Sequence, residues 1–441
     1  MSIEYRDDRL VAGGVPLEEI AAAVGTPVYV YDTDSILERL DRIRRSFDGL
    51  DPGIRYAVKA NSNGALLSLL AREGAGFDLV SGGELLRALA AGGRPADMVF
   101  AGVGKQDWEL ELGLEAGIGL FVVESEAELD RLAFLASRAG RRVDVALRLN
   151  PDVGAATHDY IATGRKEDKF GLNPDRAENC LRVISSGTSL RLHAFHVHLG
   201  SLILDSEPYL EALRRVLDWC DLKACKKLGL ECYDLGGGFG IRGPFAEPMD
   251  LDPLGEGLRR ILGPAGLRLL CEPGRYLLGD AGLLLVRALE WKPGHGKDFL
   301  IVDGGMNDLI RPALYGATHE IVPLRSPEGG VPRRVDVVGP VCESGDFLGR
   351  DRSLPESEPG TLYAVLGAGA YGFSMSSDYN SRPRPAEVLV SNGTARLIRR
   401  REDPRDLWRN EGDEGLDLRK PAGDPPWREI LEDLRNREAG T

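Results

Sequence analysis

The chain has 441 residues, which is too long for one ordinary domain and long enough for two. Its residues are 43% hydrophobic and 28% charged, a balance typical of a soluble globular protein. The formal net charge of −14 argues against nucleic acid or an anionic membrane as a partner, because neither would attract the chain overall.

The N-terminal residues MSIEYRDDRL contain no basic start followed by an apolar core, so we expect no secretory signal peptide. No apolar run approaches the roughly 20 residues of a membrane helix. The six cysteines are irregularly spaced and form no C-x-x-C pair, which indicates reduced thiols rather than disulfides or a zinc site. Together these features predict a cytoplasmic protein.

Short apolar segments alternate with helix-like segments along the first part of the chain. One such helix begins with Ser125 and Glu128, the hydroxyl and carboxylate of a capping box. Eight of the apolar segments are predicted to be strands, at residues 56–60, 77–81, 98–102, 120–125, 145–150, 194–200, 233–238 and 269–275.

Strands that alternate with helices favour a (β/α)8 TIM-type barrel, although a doubly wound sheet uses the same units. Polar residues at the carboxyl ends of many strands favour the barrel, because a barrel builds its active site on that face. These residues are Lys59, Asp78, Ser81, Glu124, Arg148, His198, Gly236–Gly238 and Glu272. We therefore predict a barrel over residues 26–280.

Helix-like segments become rare after about residue 280. Strand-like segments follow, and the one at 386–400 contains Asn392-Gly393, a strong hairpin signal. We predict that residues 1–25 and 281–412 form a mostly β domain. Residues 413–441 are predicted to be a charged tail with a short helix around Trp427–Leu434. The segment GTPVYVYD, residues 25–32, could be a strand of either domain.

Three glycines, Gly236–Gly238, follow a predicted strand. Backbone N–H groups of a glycine turn can approach a phosphate closely, but a purely structural tight turn explains the sequence about equally well. Neither a dinucleotide fingerprint nor a P-loop fits. Because phosphate sites in barrels often follow the late strands, the position favours phosphate.

Glu272 ends an apolar strand in the sequence CEPGRY, and Arg275 follows it by three residues. The two side chains could simply pair with each other. Alternatively, a buried carboxylate at this place could keep a pyridine nitrogen protonated, which makes the ring an acceptor of electrons.

His196 and His198 form an H-x-H sequence that could bind zinc, as in metal-dependent hydrolases. No further His or Asp is recognisably placed to complete the ligand shell, and His196 at least is expected to be a hydrogen-bonded core residue. Alternatively, one imidazole could stack on an aromatic cofactor while Ser201 joins the phosphate site.

Lys59, in the sequence RYAVKANSN, would alone be an ordinary lysine at the end of a strand. A strand-end lysine can form a Schiff base, a glycine turn can bind a phosphate, a carboxylate can protonate a pyridine, and an imidazole can stack on the ring. Together these features predict a pyridoxal phosphate site.

Longer blocks resemble the fold-type III pyridoxal-phosphate-dependent decarboxylases over roughly residues 15–410. The most specific blocks are YAVKANSN, GFDLVSGGEL, HDYIATGRKEDKFGL, VDGGMNDLIRPALYGATHEI, GPVCESGDFLG and GAYGFSMSSDYNSRPRPAEVLV. They are most similar to the members that decarboxylate diaminopimelate. The resemblance implies a carboxy-lyase that converts meso-2,6-diaminopimelate to L-lysine and carbon dioxide, the last step of lysine biosynthesis.

The resemblance also implies roles for the matching residues. Lys59 would be the Schiff-base lysine and Cys342 a proton donor. Cofactor contacts would come from Lys59, Asp78, Arg148, His198, Ser201, Gly237, Gly238, Glu272, Pro273, Gly274, Arg275 and Tyr371. Substrate contacts would come from Arg275, Arg311, Tyr315, Glu343 and Tyr371, with no metal. In the family the CESGD loop reaches the partner's active site, which implies an obligate homodimer with shared sites.

Other functions stay open at this point. The substrate could be a related basic or carrier-bound amino acid, the H-x-H could mark a metallohydrolase, or the barrel could bind a phosphate without turnover. Alanine-racemase-like activity is disfavoured, because that chemistry avoids the strongly protonated pyridine that Glu272 favours. Leu202 and Asp378 stand where the family commonly has a polar residue and Asn, which leaves the substrate preference less certain.

Overall fold

The computed structural model describes residues 3–153, 169–241, 247–326, 331–413 and 423–439. The block at 158–172 quoted above therefore lies mostly outside the described residues. The chain divides into two compact units. The first, the β unit, comprises Met1–Asp41, Ile241–Pro248 and Arg275–Gly415. The second, the barrel unit, comprises Arg42–Gly240, Met249–Gly274 and Leu416–Thr441.

Helices and strands are numbered in chain order. The chain begins with β1 (Glu4–Arg6), β2 (Arg9–Ala12), β3 (Val15–Pro16), α1 (Leu17–Val24), β4 (Val28–Asp32) and α2 (Thr33–Ser46). The following strands are β5 (Gly53–Ala57), β6 (Gly76–Leu79), β7 (Met98–Phe100), β8 (Leu120–Val123), β9 (Val143–Arg148), β10 (Leu190–His196), β11 (Cys232–Asp234) and β12 (Arg268–Cys271). The helices among them are α3 (Gly64–Arg72), α4 (Gly82–Ala90), α5 (Asp107–Ala116), α6 (Glu126–Arg138), α7 (Pro174–Ser185), α8 (Glu207–Trp219), α9 (Leu222–Lys227) and α10 (Asp252–Ala265).

The remaining elements follow residue 274. The strands are β13 (Gly282–Lys292), β14 (Asp298–Val302), β15 (Ile321–Pro323), β16 (Pro332–Val338), β17 (Phe347–Pro355), β18 (Leu362–Val365), β19 (Ala386–Ser391) and β20 (Thr394–Arg399). The helices are α11 (Arg275–Leu278), α12 (Arg311–Tyr315) and α13 (Trp427–Ala439).

Strands β5 to β12 form a closed barrel in which consecutive strands are neighbours and β12 pairs with β5. Each of these pairs is parallel. The strands are almost entirely buried, as expected of parallel strands covered by side chains inside and helices outside. One buried cluster consists of Val99, Ala101, Leu120, Val122, Ala146, Ala194, Cys232 and Leu270. The predicted (β/α)8 barrel is confirmed.

Each predicted barrel strand is present, but each ends a few residues earlier than the sequence indicated. The first predicted strand, 56–60, stops at Ala57, and Val58–Ala60 form a 3₁₀ turn. The last, 269–275, stops at Cys271. Most of the polar residues assigned to the strand ends therefore lie in the loops just beyond them, whereas Asp78 and Arg148 lie within β6 and β9.

Helix α6 begins at the predicted cap. The hydroxyl of Ser125 accepts a hydrogen bond from the N–H of Glu128 at 3.1 Å. The Glu128 carboxylate does not return this bond to Ser125 but accepts one from the N–H of Glu124 at 3.0 Å and pairs with Lys105. This contact fixes the backbone directly after β8, where Glu124 turns toward the carboxyl end of the barrel.

The β unit contains a sheet with the strand order β17-β16-β14-β13-β4-β19-β20, in which β18 joins β13 and pairs with β15. The hairpin predicted from Asn392-Gly393 is confirmed between β19 and β20. Both residues have positive φ, 48° and 73°, as a type I′ turn requires.

The two units divide at different residues from those expected from the sequence. Strand β4 pairs with β13 and β19, so residues 25–32 contribute a central strand to the β unit rather than to the barrel. The barrel unit consequently begins at Arg42 instead of residue 26. Its strands and helices up to α10 end by Gly274 instead of residue 280, and Leu416–Thr441 is added to it. The pairing partners of β4 lie more than 200 residues away in sequence, so no local pattern could reveal them.

The C-terminal segment contains the expected helix, but it is longer and less solvated than a charged tail would be. Helix α13 belongs to the barrel unit and packs against α4 and α5. Trp427 and Leu431 are buried, and Arg428 and Arg435 pair with Glu111 and Glu115 of α5. Among the described residues we find no helix with the length and apolar character needed to span a bilayer.

Candidate active site

Lys59 lies just beyond the end of β5, in the 3₁₀ turn. Its Nζ donates a hydrogen bond to Oδ2 of Asp78 at 2.8 Å, and the lysine side chain is 36% exposed while that of Asp78 is fully buried. Burial, then repulsion from Glu272, raises the pKa of Asp78 to about 6, although Lys59 opposes the shift. A primary amine is thus held at the barrel end with access to a ligand.

The turn after Lys59 is fixed by the amides that follow it. The side chain of Asn61 accepts a hydrogen bond from the N–H of Asn63 at 2.9 Å, and that of Asn63 accepts one from Ala65 at 3.0 Å. Asn63 is therefore the N-cap of α3. This sharp corner carries the chain from the strand into its helix and limits the positions that Lys59 can adopt.

Glu272 lies directly after β12 and is buried. Its Oε2 is 3.2 Å from Nε2 of His196, whereas its Oε1 is buried and has no hydrogen-bond partner among the described residues. Burial alone would raise the pKa of Glu272, but attraction to His196 and their hydrogen bond outweigh it and lower the pKa to about 2. Glu272 is therefore ionised, with one oxygen available to accept a hydrogen bond.

The partner of Glu272 belongs to a small buried cluster that sequence reasoning did not identify. Asp234 ends β11, and one oxygen or nitrogen of each of His196, Asp234 and Glu272 lies within 4.8 Å of the others. Burial, then repulsion from Glu272, raises the pKa of Asp234 to about 8. The sequence did not indicate that Asp234 and Glu272 would lie beside His196, and His198 is not in this cluster. A charged residue inside the apolar strand YDL was the available signal.

His198 follows β10, and its Nδ1 accepts a hydrogen bond from the N–H of Gly237 at 3.1 Å. A ring nitrogen that accepts this bond carries no proton. Desolvation, followed by repulsion from Lys59 and Arg148, lowers the pKa of His198 well below its usual value. The ring is therefore a neutral imidazole, suited to contact with an aromatic group.

The glycine segment Gly236–Gly238 occupies a space that larger residues could not share. Gly236 and Gly238 have positive φ, 67° and 96°. A Cβ at Gly238 would overlap with the carbonyl oxygen of Gly200, and one at Gly237 would overlap with that of Glu272. The backbone thus passes between the loops after β10 and β12, as expected of a segment that presents N–H groups to an anion.

The segment that contains Ser201 lies beside these glycines. The N–H of Ile203 donates to the carbonyl of Gly238 at 3.0 Å, and Gly240 donates back to Ile203 at 2.8 Å. Leu202 adopts a positive φ of 63°, which is strained for a residue with a Cβ. Ser201 is therefore held next to the glycine segment on a tightly constrained backbone.

Arg148 ends β9 and forms a buried ion pair with Glu124 at 2.9 Å. Its guanidinium also lies over the ring of Phe170, 4.6 Å from the ring centre. The same carboxylate accepts hydrogen bonds from the N–H groups of Gly102 and Gly171. Glu124 thus fixes the loops after three strands around Arg148.

In the β unit, four of the predicted substrate residues lie together. The guanidinium of Arg275 stacks on the ring of Tyr371, 4.5 Å from its centre. Burial, then repulsion from Arg275, lowers the pKa of Arg311 to about 9, and Tyr371 and Tyr315 partly offset this. Tyr371 has a positive φ of 56°, the kind of strain found at ligand sites.

Cys342 and Glu343 lie in the loop that connects β16 and β17 and are exposed. The buried Asp346 fixes this loop, because its carboxylate accepts hydrogen bonds from the N–H groups of Met306 and Val341, each at 2.6 Å. The N–H of Cys342 donates to Asn380 at 3.0 Å. Within the described residues, neither Cys342 nor Glu343 forms an ion pair or hydrogen bond with the arginines of the β unit.

The barrel end suits pyridoxal phosphate on geometric grounds. Buried Oε1 of Glu272 and Oδ1 of Asp78 lack partners among the described residues, so the site contains acceptors that a bound group would satisfy. A neutral imidazole, an amine and the glycine segment Gly236–Gly238 complete the set. This combination on a (β/α)8 barrel defines the class of pyridoxal-phosphate-dependent enzymes whose cofactor is held at the carboxyl ends of barrel strands.

Comparison with known proteins agrees with this class. The family described as "Pyridoxal-dependent decarboxylase, pyridoxal binding domain" matches residues 33–279. Diaminopimelate decarboxylase of Aquifex aeolicus is 45% identical over 407 residues, 91% of this chain and 95% of the relative. That of Pseudomonas aeruginosa is 46% identical over 410 residues, 93% of this chain and 98% of the relative.

Solved structures give the same result. Diaminopimelate decarboxylase from Helicobacter pylori, complexed with L-lysine, has a TM-score of 0.85 and 40% identity and covers 89% of this chain and 98% of its own. The enzyme from M. jannaschii, also in complex with L-lysine, has a TM-score of 0.87 and 34% identity. It covers 93% of this chain and 98% of its own. The chain belongs to the diaminopimelate decarboxylase family of pyridoxal-dependent decarboxylases.

Proposed function

We propose that the protein decarboxylates meso-2,6-diaminopimelate to L-lysine and carbon dioxide, the last step of lysine biosynthesis. Its family relatives carry the name diaminopimelate decarboxylase at 41% to 46% identity over at least 90% of this chain. Pyridoxal phosphate is the cofactor that this family and the residues at the barrel end imply.

The observation that carries the choice of substrate is the environment of Arg311. It is 6% exposed, and no carboxylate pairs with it among the described residues, while a second arginine, Arg275, repels it. Two close cations in a buried site require an anion to offset their repulsion and desolvation. Diaminopimelate has a distal carboxylate that could bind there, whereas ornithine has none, so a site for ornithine would need an acidic group instead.

When bound, pyridoxal phosphate supplies an aldehyde that reacts with primary amines and a pyridinium ring that accepts the electrons of the broken C–C bond. Lys59 would provide the resident amine and yield its place to the substrate amine, with Asp78 holding its Nζ. Glu272 would accept the ring N–H through Oε1. His198 would lie against the ring face as a neutral imidazole.

The remaining cofactor contacts follow the same geometry. The N–H of Gly238 and the hydroxyl of Ser201 would bind the phosphate. Gly237, whose own N–H donates to His198, would leave space beside it, and Pro273 and Gly274 would shape the wall after β12. Arg148 would lie near the phenolic oxygen. Arg275 and Tyr371 would supply further cofactor contacts.

Cys342 would donate the proton that replaces the lost carboxylate, and Glu343 would bind the distal ammonium of the substrate. Both are exposed in the single chain. This exposure supports a homodimer in which the CESGD loop of one subunit completes the site of its partner. The six cysteines are unbonded, which supports a cytoplasmic location.

The test is carbon dioxide release by the full chain loaded with pyridoxal phosphate. Release is expected from meso-diaminopimelate and not from ornithine, arginine or L-lysine. Lys59→Ala should abolish both the yellow colour and the activity, while the exposed control Lys223→Ala should keep both. Release from ornithine instead would contradict the assigned substrate. A colourless protein that retains zinc would favour a metallohydrolase, and bound cofactor without any release would favour a binding protein.

A further inference from the structure

His196 has no role in the proposed reaction, yet it is one of the most buried polar residues near the cofactor site, with 1% of its surface exposed. It ends β10, two residues before the cofactor-facing His198. Its Nε2 is 3.2 Å from Oε2 of Glu272, which directly follows β12, the strand on the other side of β11. Burial of a titratable ring is unfavourable unless the ring is hydrogen-bonded, and the contact with Glu272 supplies that bond.

The contact divides the two oxygens of Glu272 between different partners. Oε2 is engaged by His196, and Oε1 remains buried without a partner among the described residues. A carboxylate that is free to rotate could turn either oxygen, or its edge, toward a ligand. A hydrogen bond to one oxygen fixes the plane of the carboxylate and therefore the direction in which the other oxygen accepts.

We propose that His196 is a positioning residue that holds Glu272 through Oε2, so that Oε1 stays aligned to accept the ring N–H of the cofactor. This inference rests on the proposed function, since it takes pyridoxal phosphate as the ligand. It assigns to the first histidine of the H-x-H sequence a role separate from that of the second.

Electrostatics support the geometry. Lys59 adds to the attraction of His196 for the Glu272 carboxylate, whereas burial acts against its ionisation. Burial would lower the pKa of His196, but Glu272 and then Asp234 outweigh it and raise the pKa, although Arg148 opposes them.

The sign of the pH effect follows from this balance. The folded-state pKa of Glu272 is depressed to about 2, so its carboxylate remains charged throughout the neutral and mildly acidic range. If His196 is removed, the effect of burial remains without its main opposing charge, and the pKa of Glu272 rises. Glu272 then takes up a proton as the pH falls, and the cofactor loses its acceptor at a pH where the wild type keeps it.

The experiment measures how much pyridoxal phosphate the full chain retains after desalting, from about pH 8 to about pH 5. The wild type should retain it throughout. His196→Leu should lose it toward acidic pH, with affinity about tenfold to a hundredfold weaker at the acidic end, the usual cost of leaving a buried acceptor unpaired. His196→Gln can still donate a neutral hydrogen bond and should recover most of the loss.

His193→Gln is the matched control, because His193 lies on the same strand and contacts Cys232 and Asp144 instead of Glu272. It should behave as the wild type. If His196→Leu does not fold, His196→Gln still decides the question, since its acidic loss should begin at a higher pH than that of the wild type.

Unchanged acidic retention in both His196 variants would overturn the proposal. Retention that falls equally in His193→Gln would also overturn it, because the effect would then be one of general stability. Zinc that is retained by the wild type and lost with His196 would replace it with a metal site at His196, Asp234 and Glu272. A wild type that binds no pyridoxal phosphate would instead contradict the proposed function.

Discussion

At the residue scale, Arg311 shows how a costly environment can indicate a ligand. A buried guanidinium without an ion pair destabilises the folded chain, and the nearby Arg275 adds to the cost. Two buried guanidinium groups of this kind are retained at sites where a bound anion offsets their repulsion. The protein then gives up some folding stability and gains recognition of the ligand. The same side chain could not be identified from the sequence as buried, since α12 is only a short turn of helix.

We expect Arg311→Met to weaken use of diaminopimelate and to stabilise the free protein. Loss of a charge-assisted hydrogen bond of about 1.5–3 kcal/mol should lower kcat/KM by about tenfold to a hundredfold. Removal of the buried charge should raise the urea midpoint. Steady-state kinetics and urea unfolding check both effects, with the exposed Arg260→Ala as the control. A variant that is less stable and fully active would contradict this role.

At the scale of an element, packing determines the backbone conformation of the segment Gly236–Gly238 and the stability of helix α13. The glycine segment has the conformation its site requires because neighbouring loops leave no room for a side chain. Helix α13 is stabilised by burial of one face against α4 and α5, since a helix of this length is marginal by itself.

Gly238→Ala should impair cofactor binding much more than folding. Its Cβ would overlap with the carbonyl of Gly200 and would occupy a positive φ, so the glycine segment must shift. Titration of the variant with pyridoxal phosphate should show weaker binding. Gly263→Ala is the control, because its Cβ would meet nothing within 4 Å and the helix should gain up to about 1 kcal/mol. Equal binding by the two variants would refute the packing argument.

Trp427→Ala should destabilise the barrel unit without changing the chemistry. The indole is 1% exposed, and its loss should cost about 3 kcal/mol in the free energy of unfolding. The exposed Trp408, at 53%, serves as the control and should change stability by less than about 0.5 kcal/mol. Urea unfolding gives both values, and kcat should stay that of the wild type. An unchanged free energy of unfolding would mean that α13 does not stabilise the unit.

At the scale of the whole molecule, a single chain presents the CESGD loop to solvent, although the proposed chemistry needs Cys342 and Glu343 beside the substrate. A symmetric dimer can complete two sites at once, because each subunit gives its loop to the other. Activity would then require the dimer, because a single subunit would not contain a complete site.

Mixing two inactive variants tests the shared site. Lys59→Ala and Cys342→Ala chains should each have little activity alone, but a mixed dimer would contain one site with both residues intact. Activity should therefore partly recover after verified subunit exchange, measured as carbon dioxide release. Recovery should be absent when either variant is mixed with the double variant. No recovery in the first mixture would mean that each chain supplies its own Cys342.

Local sequence patterns were sufficient for the segments of the barrel and for several of its site residues. Alternation of apolar strands with amphipathic helices predicted all eight barrel strands, and polar residues at their ends indicated Lys59, Asp78 and Glu272. The hairpin at Asn392-Gly393 was equally local. These features depend on neighbours within a few residues, which is why one sequence contains enough information for them.

Contacts between distant segments required the tertiary structure. Closure of the barrel brings the end of β10 to the end of β12, so that His196 pairs with Glu272 across 76 residues, and β11 adds Asp234. Strand β4 joins the β unit because its partners come from β13 and β19. The sequence by itself determined which segments form strands and which side chains can do chemistry. Only the fold decided which of them meet, because pairing across a closed sheet depends on register and burial that no local pattern contains.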